Sequence, residues 1–173
     1  MHIGDSCPDF DLPGTDDKNH ALSDMKRELL LVIVSCNHCP YVVAYEVRMA
    51  NLAREYAQKG VDTIAVNAND ASRYPDDGMA QMKARARERE FDFPYVRDDS
   101  QNLARALGAR FTPEVFLFDR ERKLRYQGRI DDNHRDARNV KAHDLRNALD
   151  ALLTGKNPPI EETSAVGCSV KWK

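Results

Sequence analysis

The 173-residue sequence predicts an α/β fold in which a mixed central β-sheet is sandwiched by helices. Three observations lead to that expectation. Residues 29–35, LLLVIVS, are a continuous apolar run with several β-branched members, the pattern of a strand covered on both faces. From Pro40 to Lys59 apolar residues recur at helical spacing, and a new apolar run starts at Val61. Strands and helices keep alternating beyond it, and the series ends in a hairpin and one further helix.

Taken in order, the strand at 29–35 is expected at the centre of the sheet. The next helix carries two apolar series, at 42, 45, 49, 52 and 56 and at 43, 47, 50 and 57, which predict a largely buried helix closed by Gly60. VDTIAVNAN, 61–69, is the second long strand, and DASRYPDDG is a turn-rich loop. A helix over about 78–90 puts Met79, Met82 and Ala86 on one face, with Lys83, Arg85, Arg87 and Arg89 elsewhere as a solvated face. PYVRD is a short strand, and a helix over about 100–107 stops at Gly108. EVFLFD and KLRYQGRI, joined by the charged turn RER, read as an antiparallel hairpin. A closing helix over about 141–153 ends at Gly155 and NPP, and the tail IEETSAVGCSVKWK has no helical period.

Composition narrows the function. Hydrophobic residues make up 42% of the chain, enough for one substantial core and one domain. Lys and Arg number 26 against 28 Asp and Glu, so no field of one sign points to nucleic acid or an anionic membrane. The opening MHIGDSCPDF lacks the basic and apolar regions of a leader, and no apolar run approaches the roughly 18 residues of a membrane span. A cytoplasmic location is expected. Four cysteines, Cys7, Cys36, Cys39 and Cys168, are too few and too unevenly spaced for a secreted disulfide framework.

The close pair is therefore read as chemical. Cys36 lies just beyond the carboxyl end of the central strand, where open α/β sheets place their ligands. Free N–H groups and the positive helix end favour a thiolate there, and a protonated His38 pushes the same way. Cys39, one turn on, can attack a mixed disulfide formed at Cys36. Pro40 argues the other way. Proline disfavours helical geometry in the residue before it, so Pro40 as first helical residue makes Cys39 the cap and the lower-pKa thiol. The residues leave open which thiolate leads. A structural disulfide or half a zinc site are the alternatives, and a single pair weighs against zinc, so no metal ligands are assigned. His2, His20, His134 and His143 stand in polar contexts as surface residues, and Cys7 reads as a bystander. Val170 and Trp172 are candidates to dock the tail.

Several stretches also resemble a known family. GDSCPDFDLPGTDDKNHALSDM, RFTPEVFLFD, YQGRIDD, CNHCPYV, the NANDASRYPDD loop and the terminal GCSVKWK are together similar to the peroxiredoxin-like, or redoxin, branch of the thioredoxin superfamily. The resemblance implies a thioredoxin-like fold with an N-terminal β-hairpin extension over residues 1–155, followed by a tail, 156–173, carrying Cys168. It implies a cis Pro113 across from the cysteines, with Thr112 and Pro113 in a substrate-binding site. Some peroxiredoxins resolve an oxidised cysteine with a tail thiol, which makes Cys168 a further redox candidate. Departures from the family are equally plain. The peroxiredoxin Pro-x-x-x-Thr-x-x-Cys pattern ending at Cys39 has Cys36 in place of the threonine and Val32 in place of the proline. Arg129 is the candidate to supply a positive charge. LLLVIVS offers no buried carboxylate under the second cysteine, leaving His38 or a water to take its proton.

The leading expectation is a thiol–disulfide oxidoreductase cycling at Cys36 and Cys39, with His38 assisting. It needs no cofactor beyond an external thiol or protein reductant, and its partner is a disulfide-containing protein or a small disulfide or peroxide. The second is a thiol peroxidase with Cys39 oxidised and Cys36 or Cys168 resolving it. The third is a thiolate metal-binding protein.

Overall fold

Two short strands, β1 (Asp11–Pro13) and β2 (Asn19–Ala21), open the chain as an antiparallel hairpin. The structure, a computed structural model describing residues 1–173, then runs β3 (Leu29–Ser35), α1 (Pro40–Ala57), β4 (Val61–Asn67), α2 (Met79–Glu88), β5 (Tyr95–Arg97) and α3 (Asn102–Leu107). It continues with β6 (Phe111–Thr112), β7 (Glu114–Phe118), β8 (Leu124–Gly128), α4 (Asp144–Leu153) and β9 (Cys168–Ser169). The main sheet has the order β5-β4-β3-β7-β8. β3 pairs in parallel with β4 and antiparallel with β7, and β7 and β8 form the expected hairpin.

The apolar run of β3 is buried throughout because it faces two cores at once. Leu29, Leu31 and Ile33 point to a core closed by α1, α2 and α4, through residues such as Met49, Met82 and Leu149. Leu30, Val32 and Val34 point to the other face, against Phe10 and the α3 residues Leu103 and Leu107. Each fully buried aliphatic side chain there contributes about 1.5–3 kcal/mol, which is why the strand needs no polar face.

Helix α1 departs from the expectation in an informative way. Val42, Tyr45, Met49, Leu52 and Tyr56 are buried, but Val43 and Val47 of the second apolar series are 39% and 65% exposed. The helix packs on one side of the sheet only, so a single stripe is covered. The basic face of α2 also differs from a solvated one. Arg85 and Arg89 reach across to Glu46 on α1, at 2.6 and 2.8 Å from its two carboxylate oxygens, and Glu46 is nearly inaccessible. A buried carboxylate needs such partners. Three helices are shorter than their periodic patterns. Before α3, Asp98 accepts from the Ala104 N–H and Ser100 hydroxyl and holds the preceding turn; before α4, Asp132 binds the Lys141 N–H; after α2, Glu90 turns with φ 52°.

The tail is ordered against the body. Gln127 bridges in parallel to Glu162, the Tyr126 hydroxyl lies 2.8 Å from Thr163 Oγ1, and β9 pairs antiparallel with β6. Gly128, at φ 136°, allows this passage, since a Cβ there would lie 2.2 Å from the Thr163 carbonyl oxygen. Val170 is buried in the same core as Cys7, and the Arg105 guanidinium sits 4.5 Å from the Trp172 ring centroid. No helix is long and apolar enough to cross a membrane.

Leu31→Ala, at the middle of β3, is expected to lower stability by about 2–5 kcal/mol in urea unfolding. An unchanged midpoint would remove β3 from the centre of this account.

Candidate active site

The thiol pair sits where β3 ends and α1 begins. Pro40 is the first helical residue and Cys39 the N-cap, with φ −69° and ψ 124°, the extended geometry that a following proline favours. Cys36 lies in the loop before it, so of the two placements left open by the sequence, the structure adopts the one that puts Cys39 at the helix end. Both are buried, Cys39 completely and Cys36 to 2% exposure.

Across from them runs the Thr112–Pro113 peptide bond, which is cis. Thr112 touches both sulfurs. Its Oγ1 is 3.4 Å from Cys36 Sγ and its carbonyl oxygen 3.2 Å from Cys39 Sγ. The carbonyl contact is a hydrogen bond only while Cys39 keeps its proton. Opposing it, the nearby Cys36 and Cys168 thiols and the N–H groups of Val42 and Cys168 favour the ionised sulfur, though Cys39 makes no side-chain capping bond to the helix. The donors prevail. The Cys36 hydrogen bond, the largest effect, and the others together hold the Cys39 thiol down to about 4 against the cost of burial. Cys36 moves the opposite way, pushed up first by the hydrogen bond it gives to Cys39 and then by burial and the negative charge of Asp77. The two shifts run in opposite directions, which gives Cys39 the lower pKa of the pair.

Asp77 was not singled out from the sequence, yet it is the buried carboxylate missing from β3. It is fully enclosed and accepts from the Asn37 N–H at 2.7 Å, Asn67 Nδ2 at 3.0 Å and Asn69 Nδ2 at 2.9 Å. His38 Nδ1 lies 2.7 Å from Oδ2, the oxygen that also accepts from Asn69, without forming a hydrogen bond to it, and the imidazole stacks on Tyr74 at 5.6 Å between centroids. The Tyr95 hydroxyl donates to Asn37 Oδ1 at 2.8 Å, and Arg97 ties the loop from beneath through the Asn69 carbonyl at 2.6 Å. Asn67, Asn69, Tyr74 and Asp77 come from the NANDASRYPDDG segment; the signal in the sequence was its density of Asn and Asp at the end of a buried strand.

Cys36 Sγ, a His38 ring nitrogen and an Asp77 oxygen lie within 4.8 Å of one another. Those are three donors at metal-ligand spacing, but the carboxylate is already supplied with amide donors, and Cys36 holds its proton tightly. The arrangement suits proton exchange better than ligation.

The remaining candidates separate clearly. Cys168 is half-buried beside Cys39, and burial, followed by the hydrogen bond it gives, raises its thiol to about 11. Cys7 lies on the opposite face of the sheet, and burial pushes it to about 12. Arg129 pairs with Asp144 at 2.7 Å and donates no hydrogen bond to a thiol. His134 is half-buried, 4.4 Å from the Tyr41 ring centroid, rather than free on the surface.

The redoxin family model matches residues 2–146. The chain belongs to the redoxin family. Redoxins are thioredoxin-like redox proteins, and the α/β architecture above is the thioredoxin-like fold. An uncharacterized conserved protein of Geobacillus kaustophilus is 38% identical, with a TM-score of 0.94 over 99% of this chain and 93% of that one. A hypothetical protein of Sinorhizobium meliloti is 36% identical, with a TM-score of 0.94 over 100% of this chain and 96% of the other. A peroxidoxin, BcpB of Mycobacterium tuberculosis, shares the fold at 20% identity and a TM-score of 0.62, over 73% of this redoxin and 84% of its own chain. The search of the curated proteins gave no match.

The alkylation rate of Cys39 in the reduced redoxin is expected to stay level from pH 9 to about 5 and to fall through a midpoint near 4. Cys36→Ala removes the largest donor and should move that midpoint toward the ordinary thiol range, about 8.5. The sign for stability follows: ionised Cys39 favours the reduced fold fully above its unfolded pKa, and the contribution is lost as pH drops from 9 toward 4. A midpoint near 8 in the wild type would contradict the low Cys39 pKa.

Proposed function

We propose that this redoxin is a thiol–disulfide oxidoreductase in which Cys39 leads and Cys36 resolves. The observation that supports it is the placement of Cys39 as the N-cap of α1 with Cys36 buried in the loop just before it, and the lowered Cys39 and raised Cys36 pKa agree with that order. The Cys39 thiolate attacks one sulfur of a disulfide RSSR′, forming a Cys39–S–S–R bond while R′S⁻ leaves and takes up a proton. Cys36 then gives up its proton and attacks the Cys39 sulfur, expelling RS⁻. Protein dithiol and substrate disulfide become protein disulfide and two thiols, and an external thiol reverses the change. His38, held by Asp77, is the acceptor for the Cys36 proton. Thr112 and Pro113 line the approach, and the reading requires no cofactor. The lowered Cys39 pKa makes the leading thiolate abundant at neutral pH but of moderate intrinsic nucleophilicity.

A peroxidase reading is favoured by one observation, the complete burial of a low-pKa Cys39. There the thiolate would take an oxygen from hydrogen peroxide to give sulfenic acid and hydroxide, and Cys36 would condense with it, releasing water. Against this, the Thr112 hydroxyl faces Cys36 and Arg129 is committed to Asp144.

Reduced protein mixed with hydroxyethyl disulfide should yield a Cys36–Cys39 bond by peptide mapping, faster than the same bond forms with equimolar hydrogen peroxide. The reverse order of rates would favour the peroxidase. Asp77→Asn should slow the second step about tenfold or more while leaving mixed-disulfide formation within about threefold, the range of general-base assistance being 10²–10⁴. Equal effects on both steps would assign Asp77 a purely structural part.

A further inference from the structure

We infer that the C-terminal segment Gly167–Lys173 fills the edge at which an extended polypeptide would be received, so that the thiol site acts on small disulfides and excludes peptide ones. The inference rests on Cys36 and Cys39 being an exchanging pair.

A short exposed strand beside a reactive group is a place where an extended chain can add itself by backbone hydrogen bonds. Phe111–Thr112 is such a strand, ending at the cis proline, and its partner is already present. Ser169 pairs with Phe111 and Cys168 with Thr112, antiparallel. The match goes further than backbone. Cys168 accepts from the Thr112 hydroxyl at 3.5 Å through its carbonyl and packs its side chain against the core that holds Cys36 and Cys39, where the sulfur of an extended substrate would have to come. Gly167 makes the approach possible: a Cβ there would lie 2.1 Å from the Thr112 carbonyl oxygen and 2.7 Å from its carbon, too close for any other residue without displacement.

The segment is also held beyond the thiol. Val170 is 4% exposed and donates its N–H to the Arg110 carbonyl at 3.0 Å. Lys171 exchanges backbone bonds with the loop that carries Asp77, donating to Asn69 Oδ1 at 2.8 Å and accepting from the Asp70 N–H at 2.8 Å, while Gln101 Nε2 bonds its carbonyl at 3.0 Å. A peptide substrate must break the β6–β9 ladder and these anchors before it can pair. A small disulfide has no such backbone pairing to make, so it need not displace the ladder, only gain access to the covered sulfurs.

The test compares two disulfides with the same leaving group, mercaptoethanol. One is hydroxyethyl disulfide; the other is an extended synthetic peptide whose single cysteine carries mercaptoethanol as a mixed disulfide. Full-length wild type should react with the first at least about tenfold faster, after correction for the rates with free glutathione. Gly167→Ala, which pushes the strand off Thr112 while leaving Val170 and Trp172 in place, should narrow that gap to about threefold or less, with its melting curve confirming a folded protein. Equal corrected rates in the wild type would overturn the inference whether or not the variant folds, as would an unchanged gap in a folded Gly167→Ala. Failure of hydroxyethyl disulfide to join Cys36 to Cys39 at all would instead overturn the exchange reading beneath it.

Discussion

Two buried sulfurs with opposite pKa shifts are the constraint around which this redoxin is arranged. A negative sulfur with no water contact is costly unless donors surround it. Here the groups that lower the Cys39 pKa come from three separate parts of the chain: the loop after β3, the first turn of α1 and the tail strand. The Thr112 carbonyl, 3.2 Å away, limits how far the stabilisation goes and gives the protonated form its own partner. Two protonation states are thereby accommodated without rearranging the backbone, which is what a reversible redox thiol requires.

The second negative charge sharpens the arrangement. Asp77 would destabilise a nearby thiolate, and it adds to the resistance of Cys36 to ionisation. Three amide donors from Asn37, Asn67 and Asn69 satisfy that carboxylate independently of the thiols. Keeping Cys36 protonated is useful while Cys39 must be the anion. In the proposed exchange, a mixed disulfide at Cys39 removes its charge, and His38, beside Asp77 and within 4.8 Å of Cys36, would receive the Cys36 proton. The same fixed network therefore serves opposite needs at successive steps.

Much of the fold was legible because it depends on local patterns. The seven apolar residues of β3, the stripe of α1 and the β7–β8 hairpin each follow from spacing and turn residues. Helix ends were less legible, since Asp98 and Asp132 divert residues that periodicity alone would assign to helices. At the site, Cys36, Cys39 and His38 stood out by adjacency, and Pro40 carried the clue to which cysteine caps the helix. Asp77 could not be placed from spacing, because it reaches His38 from 39 residues away through a loop whose fold depends on Arg97 and Tyr95. Nor could Arg129, whose charge is met by Asp144 from a neighbouring segment, be assigned before the packing of α4 was known.

The order of the two thiols is the central claim, and trapping tests it most directly. Reduced Cys36→Ser and Cys39→Ser proteins are each mixed with hydroxyethyl disulfide at neutral pH and followed by intact mass. The account predicts rapid gain of one mercaptoethanol adduct in Cys36→Ser, mapped to Cys39 and stable because nothing replaces it, with little reaction at position 36 in Cys39→Ser. A rapid adduct on Cys36 and an inert Cys39 would contradict it, and would return the leading role to the cysteine in the loop.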